Sequence, residues 1–128
     1  MPDRHQLVTA RPSIPTIIEE NSVSRAERFQ NQTLRPILKL QHDLLVALFR
    51  QYIRKRKNKF YELPTKQRPE YIEHSVRQDL KFKNLLLGTV IGQFTLEEYE
   101  LFLKEEKELT RRITSLLVQR LQSVMESF

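Results

Sequence analysis

The chain has 128 residues, the size of one domain. Hydrophobic residues make up 39% and charged residues 30%, so it can bury a core and keep a solvated surface. There is no cysteine, which excludes disulfides, thiolate zinc sites and cysteine nucleophiles. The net charge of +6 is uneven. Residues 33–60 carry eight bases against one acid, Asp43, whereas residues 95–128 carry seven acids against five bases. Such asymmetry points to an anionic partner or to a complementary surface on another subunit.

Residues 1–23 hold Pro2, Pro12 and Pro15, show no sustained period, and read as an N-terminal arm. Ile14, Ile17, Ile18 and Val23 are its anchors to a single helical domain over residues 24–128. The opening residues contain no apolar core of a secretory signal, and no apolar run approaches the roughly 20 residues of a membrane span. A cytoplasmic protein without membrane contact is expected. "SRAE" (Ser24, Glu27) fits a capping box and predicts a short helix near 25–31.

A first long helix is predicted over 33–61, with Thr33 as N-cap and Pro36 in the first turn. Its apolar stripe includes Leu34, Ile37, Leu38, Leu44, Leu45, Leu48, Phe49, Tyr52, Ile53 and Phe60. A second, over 66–92, carries Ile72, Val76, Leu80, Leu86, Leu87 and Val90 and stops at Gly92, read as a left-handed cap. A third, over 95–127, opens on a capping box of Thr95 and Glu98, with Phe94 and Tyr99 as a hydrophobic staple. No β-rich segment is present. The expectation is an all-α, antiparallel three-helix bundle.

Four polar residues fall on the apolar stripes: Gln41, Asp79, Lys83 and Glu106. At about 1.5 Å per residue, Gln41, Lys83 and Glu106 reach one level, with Asp79 a turn away. This predicts a polar core layer, read first as a register-setting ion pair. The sharper reading is a ligand-binding or enzymatic pocket with His42 at its edge. "EYIEH" (Glu70, Glu73, His74) lacks the Glu-x-x-His spacing of carboxylate-bridged metal bundles, so no metal or other cofactor is assigned. Phosphate-loop, dinucleotide and nucleophile-elbow motifs are absent, and no catalytic residue is named.

Lys39, Arg50, Arg54 and Lys57 share the face opposite the first stripe. They are the candidate contacts to an anion or to nucleic acid, although no helix-turn-helix spacing, zinc finger or aromatic RNA platform accompanies them. The alternative is subunit pairing, with this basic end meeting the acidic "EEYELFLKEEKE".

"LLLGTVIGQF" holds Gly88 and Gly92, the only glycines. Leu85, Leu86, Leu87, Val90 and Ile91 make this turn apolar almost all round, which calls for cover on two sides. Leu85, Gly88, Ile91 and Gly92 are the predicted close-contact surface, covered by the arm or by a second subunit. The leading expectation is a non-enzymatic helical protein that forms a homodimer or binds a protein partner. Nucleic-acid binding is the alternative.

The run from "RFQNQTLRPILKLQHDLL" through "YIEHSVRQDLKFKNLLLG" to "GQFTLEEYE" resembles a small bacterial helical family without assigned activity. The resemblance covers about residues 28–124 and brings no functional residues with it. Some members carry the label glyoxalase. One glyoxalase class needs metal ligands on the strands of βαβββ modules and the other needs H-x-H-x-D-H; neither pattern occurs here.

Overall fold

A computed structural model describes residues 3–14 and 24–128. The described residues are all-α, with no strand. In chain order the helices are α1 (His5–Thr9), α2 (Arg25–Phe29), α3 (Arg35–Leu40), α4 (His42–Lys55), α5 (Lys59–Glu62), α6 (Arg68–Gln78), α7 (Leu80–Ile91), α8 (Leu96–Lys104) and α9 (Glu106–Ser123). Of the predicted arm anchors, Ile14 is half-buried. Ile17, Ile18 and Val23 lie outside the described residues.

The short helix predicted near 25–31 forms as α2, but it runs on without a break into the stretch predicted to start at Thr33. Ser24 is the N-cap, its Oγ accepting from the Glu27 N–H at 3.1 Å. Thr33 is buried inside a π-helical segment, Gln30–Leu34, that joins α2 to α3. Pro36 follows after Arg35. A proline inside a helix lacks one N–H and crowds the carbonyl four residues back, and a wider turn just before it relieves both.

Each predicted long helix is interrupted. The first bends at Gln41 (φ −86°, ψ 2°) and ends in a left-handed turn at Lys57 and Asn58. The second breaks at Asp79, whose ψ of 98° is extended. The third breaks at Glu105 (φ −138°, ψ 43°). A break resets the helical phase, so one wheel cannot describe both halves. After Asp79 the buried positions become Phe82, Leu86 and Val90, at i, i+4 and i+8, while Leu80 is 67% exposed. Leu44, counted on the first stripe, Tyr99, of the predicted staple, and Leu103 are exposed as well.

Gly92 ends α7 with φ −61° and ψ −16°, a right-handed conformation, so the predicted left-handed cap is not formed. The chain turns instead through hydrogen bonds from Gln93 N–H to Val90 O and from Phe94 N–H to Ile91 O, both 3.0 Å. The Thr95–Glu98 capping box forms as predicted. Its staple differs: Phe94 meets Phe102 and Phe29, at ring distances of 5.6 and 5.5 Å, and Tyr99 stays outside.

The core is continuous. Aliphatic residues such as Leu38, Leu45, Ile72, Leu86, Ile113 and Leu117 are fully or almost fully buried. Phe49 anchors one end, ringed by Tyr52, Phe60, Tyr71, Phe82 and Phe128.

A candidate docking groove and its acidic counterpart

Leu44, Leu48, Gln51 and Lys55 recur at i, i+4, i+7 and i+11 on α4, a single helical face. Lys81, Leu85, Gly88 and Gly92 do the same along α7 and past its end. The two faces run antiparallel. Gln41 Nε2 donates to the Thr89 carbonyl at 2.9 Å at one end, and Tyr52 Oη donates to Asp79 Oδ2 at 3.1 Å at the other. Between them lies an open groove of about 640 Å³, with Leu48, Phe82 and Leu85 on its walls and Lys55, Arg56 and Lys81 at its basic end.

Asp79 organises that basic end. Its Oδ1 accepts from the Phe82 N–H at 3.2 Å and caps α7, while its Oδ2 pairs with Arg56. The Arg56 guanidinium lies 3.5 Å from the Tyr52 ring centroid, a cation–π stack that fixes it at the groove wall. The Asp79 carboxyl is held below the ordinary aspartate value. The Phe82 N–H is the first cause; burial opposes it, and Tyr52 and Arg56 reinforce it.

α8 carries an opposite feature. Leu96, Tyr99 and Leu103, at i, i+3 and i+7, are 68%, 41% and 46% exposed. Glu97 and Glu100 lie exposed beside them. Their outward position follows from the break at Glu105 and from the choice of Phe102, 3% exposed, as the inward residue of α8.

The predicted polar layer is not assembled. Gln41 is spent on Thr89, Asp79 on Arg56, Tyr52 and the α7 cap, and Glu106 is exposed. Lys83 is half-buried without an ion pair among the described residues. The four belong to helices whose phases were reset at Gln41, Asp79 and Glu105, so a level computed for straight helices does not hold. His42 Nδ1 lies 3.2 Å from Arg120 Nη1. A guanidinium can only donate, so this nitrogen accepts.

The predicted basic face is divided too. Lys39 is exposed on α3, before the bend, and Lys57 sits in the left-handed turn beyond α4. Arg50 and Arg54 share a face of α4, yet Arg50 Nη2 donates to the Ser127 carbonyl at 2.9 Å.

The close-contact residues separate similarly. Leu85 is 50% exposed and Ile91 leans on the core. A Cβ at Gly88 would meet nothing within 4 Å, so no described segment touches it; at Gly92 it would meet Gly88 O at 2.9 Å. The arm docks at the next corner. Arg4 Nη2 and Nε donate to the Gly92 and Phe94 carbonyls at 2.7 and 2.8 Å. Arg11 forms a two-pronged ion pair with Glu98, both bonds 2.7 Å, and reaches the Gln93 carbonyl at 2.6 Å. The only sequence signal for this contact was two arginines in a segment without helical period.

Among the described residues, no three His, Asp or Glu side chains converge as metal ligands, and no helix is long and apolar enough to cross a membrane. No protein-family model, curated protein or solved structure matches the chain.

Proposed function

We propose that this protein acts by association, as a helical module that pairs with a second copy of itself. The observation that carries the reading is the complementarity within one chain of two surfaces that no described segment covers. One is the α4/α7 groove, apolar at Leu48, Phe82 and Leu85 and basic at Lys55 and Lys81, with exposed Leu44 further along the same α4 face. The other is the α8 ridge, apolar at Leu96, Tyr99 and Leu103 and acidic at Glu97 and Glu100. An amphipathic helix laid into an apolar groove is a recurrent recognition mode, and opposite charges at the margins set its register.

The bundle reading supports the arrangement. Contacts between Gln41 and Thr89 and between Tyr52 and Asp79 run antiparallel. So do those between Pro69 and Gln122 and between Arg77 and Ser115. Contacts of Gln30 with Arg112 and of His42 with Arg120 run parallel. These directions support our reading of the fold as an up-down-up three-helix bundle with kinked members.

Sedimentation equilibrium tests the proposal. A dimer is expected at micromolar concentration, weakened by Leu96→Asp and by Leu48→Asp. Lys55→Glu with Lys81→Glu should also weaken it, and Glu97→Lys with Glu100→Lys in the same chain should restore it. A monomer at about 100 μM, where even a micromolar Kd would saturate, sinks the idea.

A further inference from the structure

Lys107, Thr110, Arg111 and Thr114 recur at i, i+3, i+4 and i+7, which places them on one face of α9. Arg77, in the last turn of α6, and Lys83, in the first turns of α7, lie on either side of the break at Asp79. These six residues line one open cleft of about 360 Å³, and no acid is among them.

Four cations therefore converge on one concavity. Arg77 pairs with Glu73 at 3.1 Å and also donates to Ser115 Oγ at 3.2 Å; Arg111 pairs with Glu108. Lys83 and Lys107 have no acidic partner among the described residues, and Lys83 is half-buried. Lys83 and Lys107 are left uncompensated at one concave surface, Lys83 partly withdrawn from water, and a bound anion relieves the cost. The hydroxyls fit the same purpose. Thr114 Oγ1 donates to the Thr110 carbonyl at 2.8 Å, whereas the Thr110 hydroxyl makes no hydrogen bond among the described residues and is free to donate.

We infer that the cleft between α6, the start of α7 and α9 binds a small phosphorylated anion. A multiply charged phosphate group answers the two unpaired lysines together, where a single carboxylate would neutralise one. Lys83 and Lys107 act as point charges, and Arg77 and Arg111 offer planar donor pairs from the rim. The cleft is separate from the proposed docking groove. Lys81 and Lys83 are two residues apart and point roughly 200° apart around α7. Phosphate binding and self-association can therefore fail independently.

Calorimetric titration of the full chain with pyrophosphate tests the assignment. Saturable one-to-one binding is expected with a Kd below about 1 mM at low salt, weakening as salt is raised. Lys83→Gln and Lys107→Gln should each weaken it about tenfold. Lys83→Arg should retain most of it, and Lys66→Gln, away from the cleft, should leave it unchanged. Circular dichroism establishes that each variant is folded. Binding that does not saturate, or that falls equally in the Lys66 variant, overturns the proposal. So does binding of a short oligonucleotide, lost in the Lys83 and Lys107 variants, without pyrophosphate binding; that result assigns the cleft to nucleic acid instead.

Discussion

Replacing Arg11 by alanine asks whether the arm is part of the fold's stability. Arg11 and Glu98 are 5% and 16% exposed, so their two 2.7 Å hydrogen bonds are largely desolvated. Hydrogen bonds to charged groups are worth about 1.5–3 kcal/mol net, and removing one partner of a buried pair costs about 3–5 kcal/mol. Two features reduce the figure here. Glu98 keeps the Thr95 N–H at 2.9 Å and regains water once the guanidinium is gone. Residues released from the corner also recover backbone entropy. The expected loss is about 2 kcal/mol, or roughly 8 °C in Tm for a chain of this length. Urea unfolding followed by circular dichroism measures it without tryptophan, which the chain lacks.

The pH dependence is a second reading of the same pair. Burial pulls the Glu98 carboxyl up, but Arg11, the Thr95 N–H and the Thr33 hydroxyl outweigh it and hold the group below the ordinary glutamate value. A carboxyl lowered by folding stabilises fully above its unfolded value, about 4.3, and loses that contribution as pH falls through the folded value. The Arg11→Ala deficit should therefore shrink below about pH 4.3. A loss under about 0.5 kcal/mol at neutral pH, or no coupling in a double-mutant cycle with Glu98→Gln, refutes the reasoning.

Asp79→Ala should cost about 1 kcal/mol from the lost α7 cap, plus less than about 1 kcal/mol from the part-exposed Arg56 pair. Asp79→Asn should keep most of the cap and remove the acid sensitivity; equal losses in the two variants, measured by thermal unfolding, would contradict the capping role. The glycines should respond with opposite signs. Gly88→Ala adds a Cβ into open space within a helix and should stabilise the monomer by roughly 1 kcal/mol, whereas Gly92→Ala drives a Cβ against Gly88 O and should destabilise it. Thermal melts at a concentration below dimerisation separate the two, and a shared sign would be incompatible with the backbone described.

Much of the architecture was legible in local chemistry. Helical period, the Ser24 and Thr95 caps and the lack of β-rich segments all act within a few residues, and all predicted helix here. Three of the four polar residues on the apolar stripes were also a true signal, with a different meaning. Gln41 and Asp79 mark a bend and a break, and Glu106 follows one at Glu105. Asp79 could have been recognised as an N-cap from its place before "LKF". The break at Glu105 had no proline or glycine to announce it.

Composition and periodicity alone determined that the chain would be helical, with more apolar residues per helix than one core can bury. Tertiary structure decided which of them stay outside. Each break rotates the following helix, and a rotation of one or two residues exchanges Leu80 for Phe82 in the core and leaves Leu96, Tyr99 and Leu103 on the surface. The same rotations part Lys83 from Glu106 and bring it beside Arg77, Lys107 and Arg111. Such neighbours are set by helix phase and packing, which sum over the whole fold, and no window of sequence contains them.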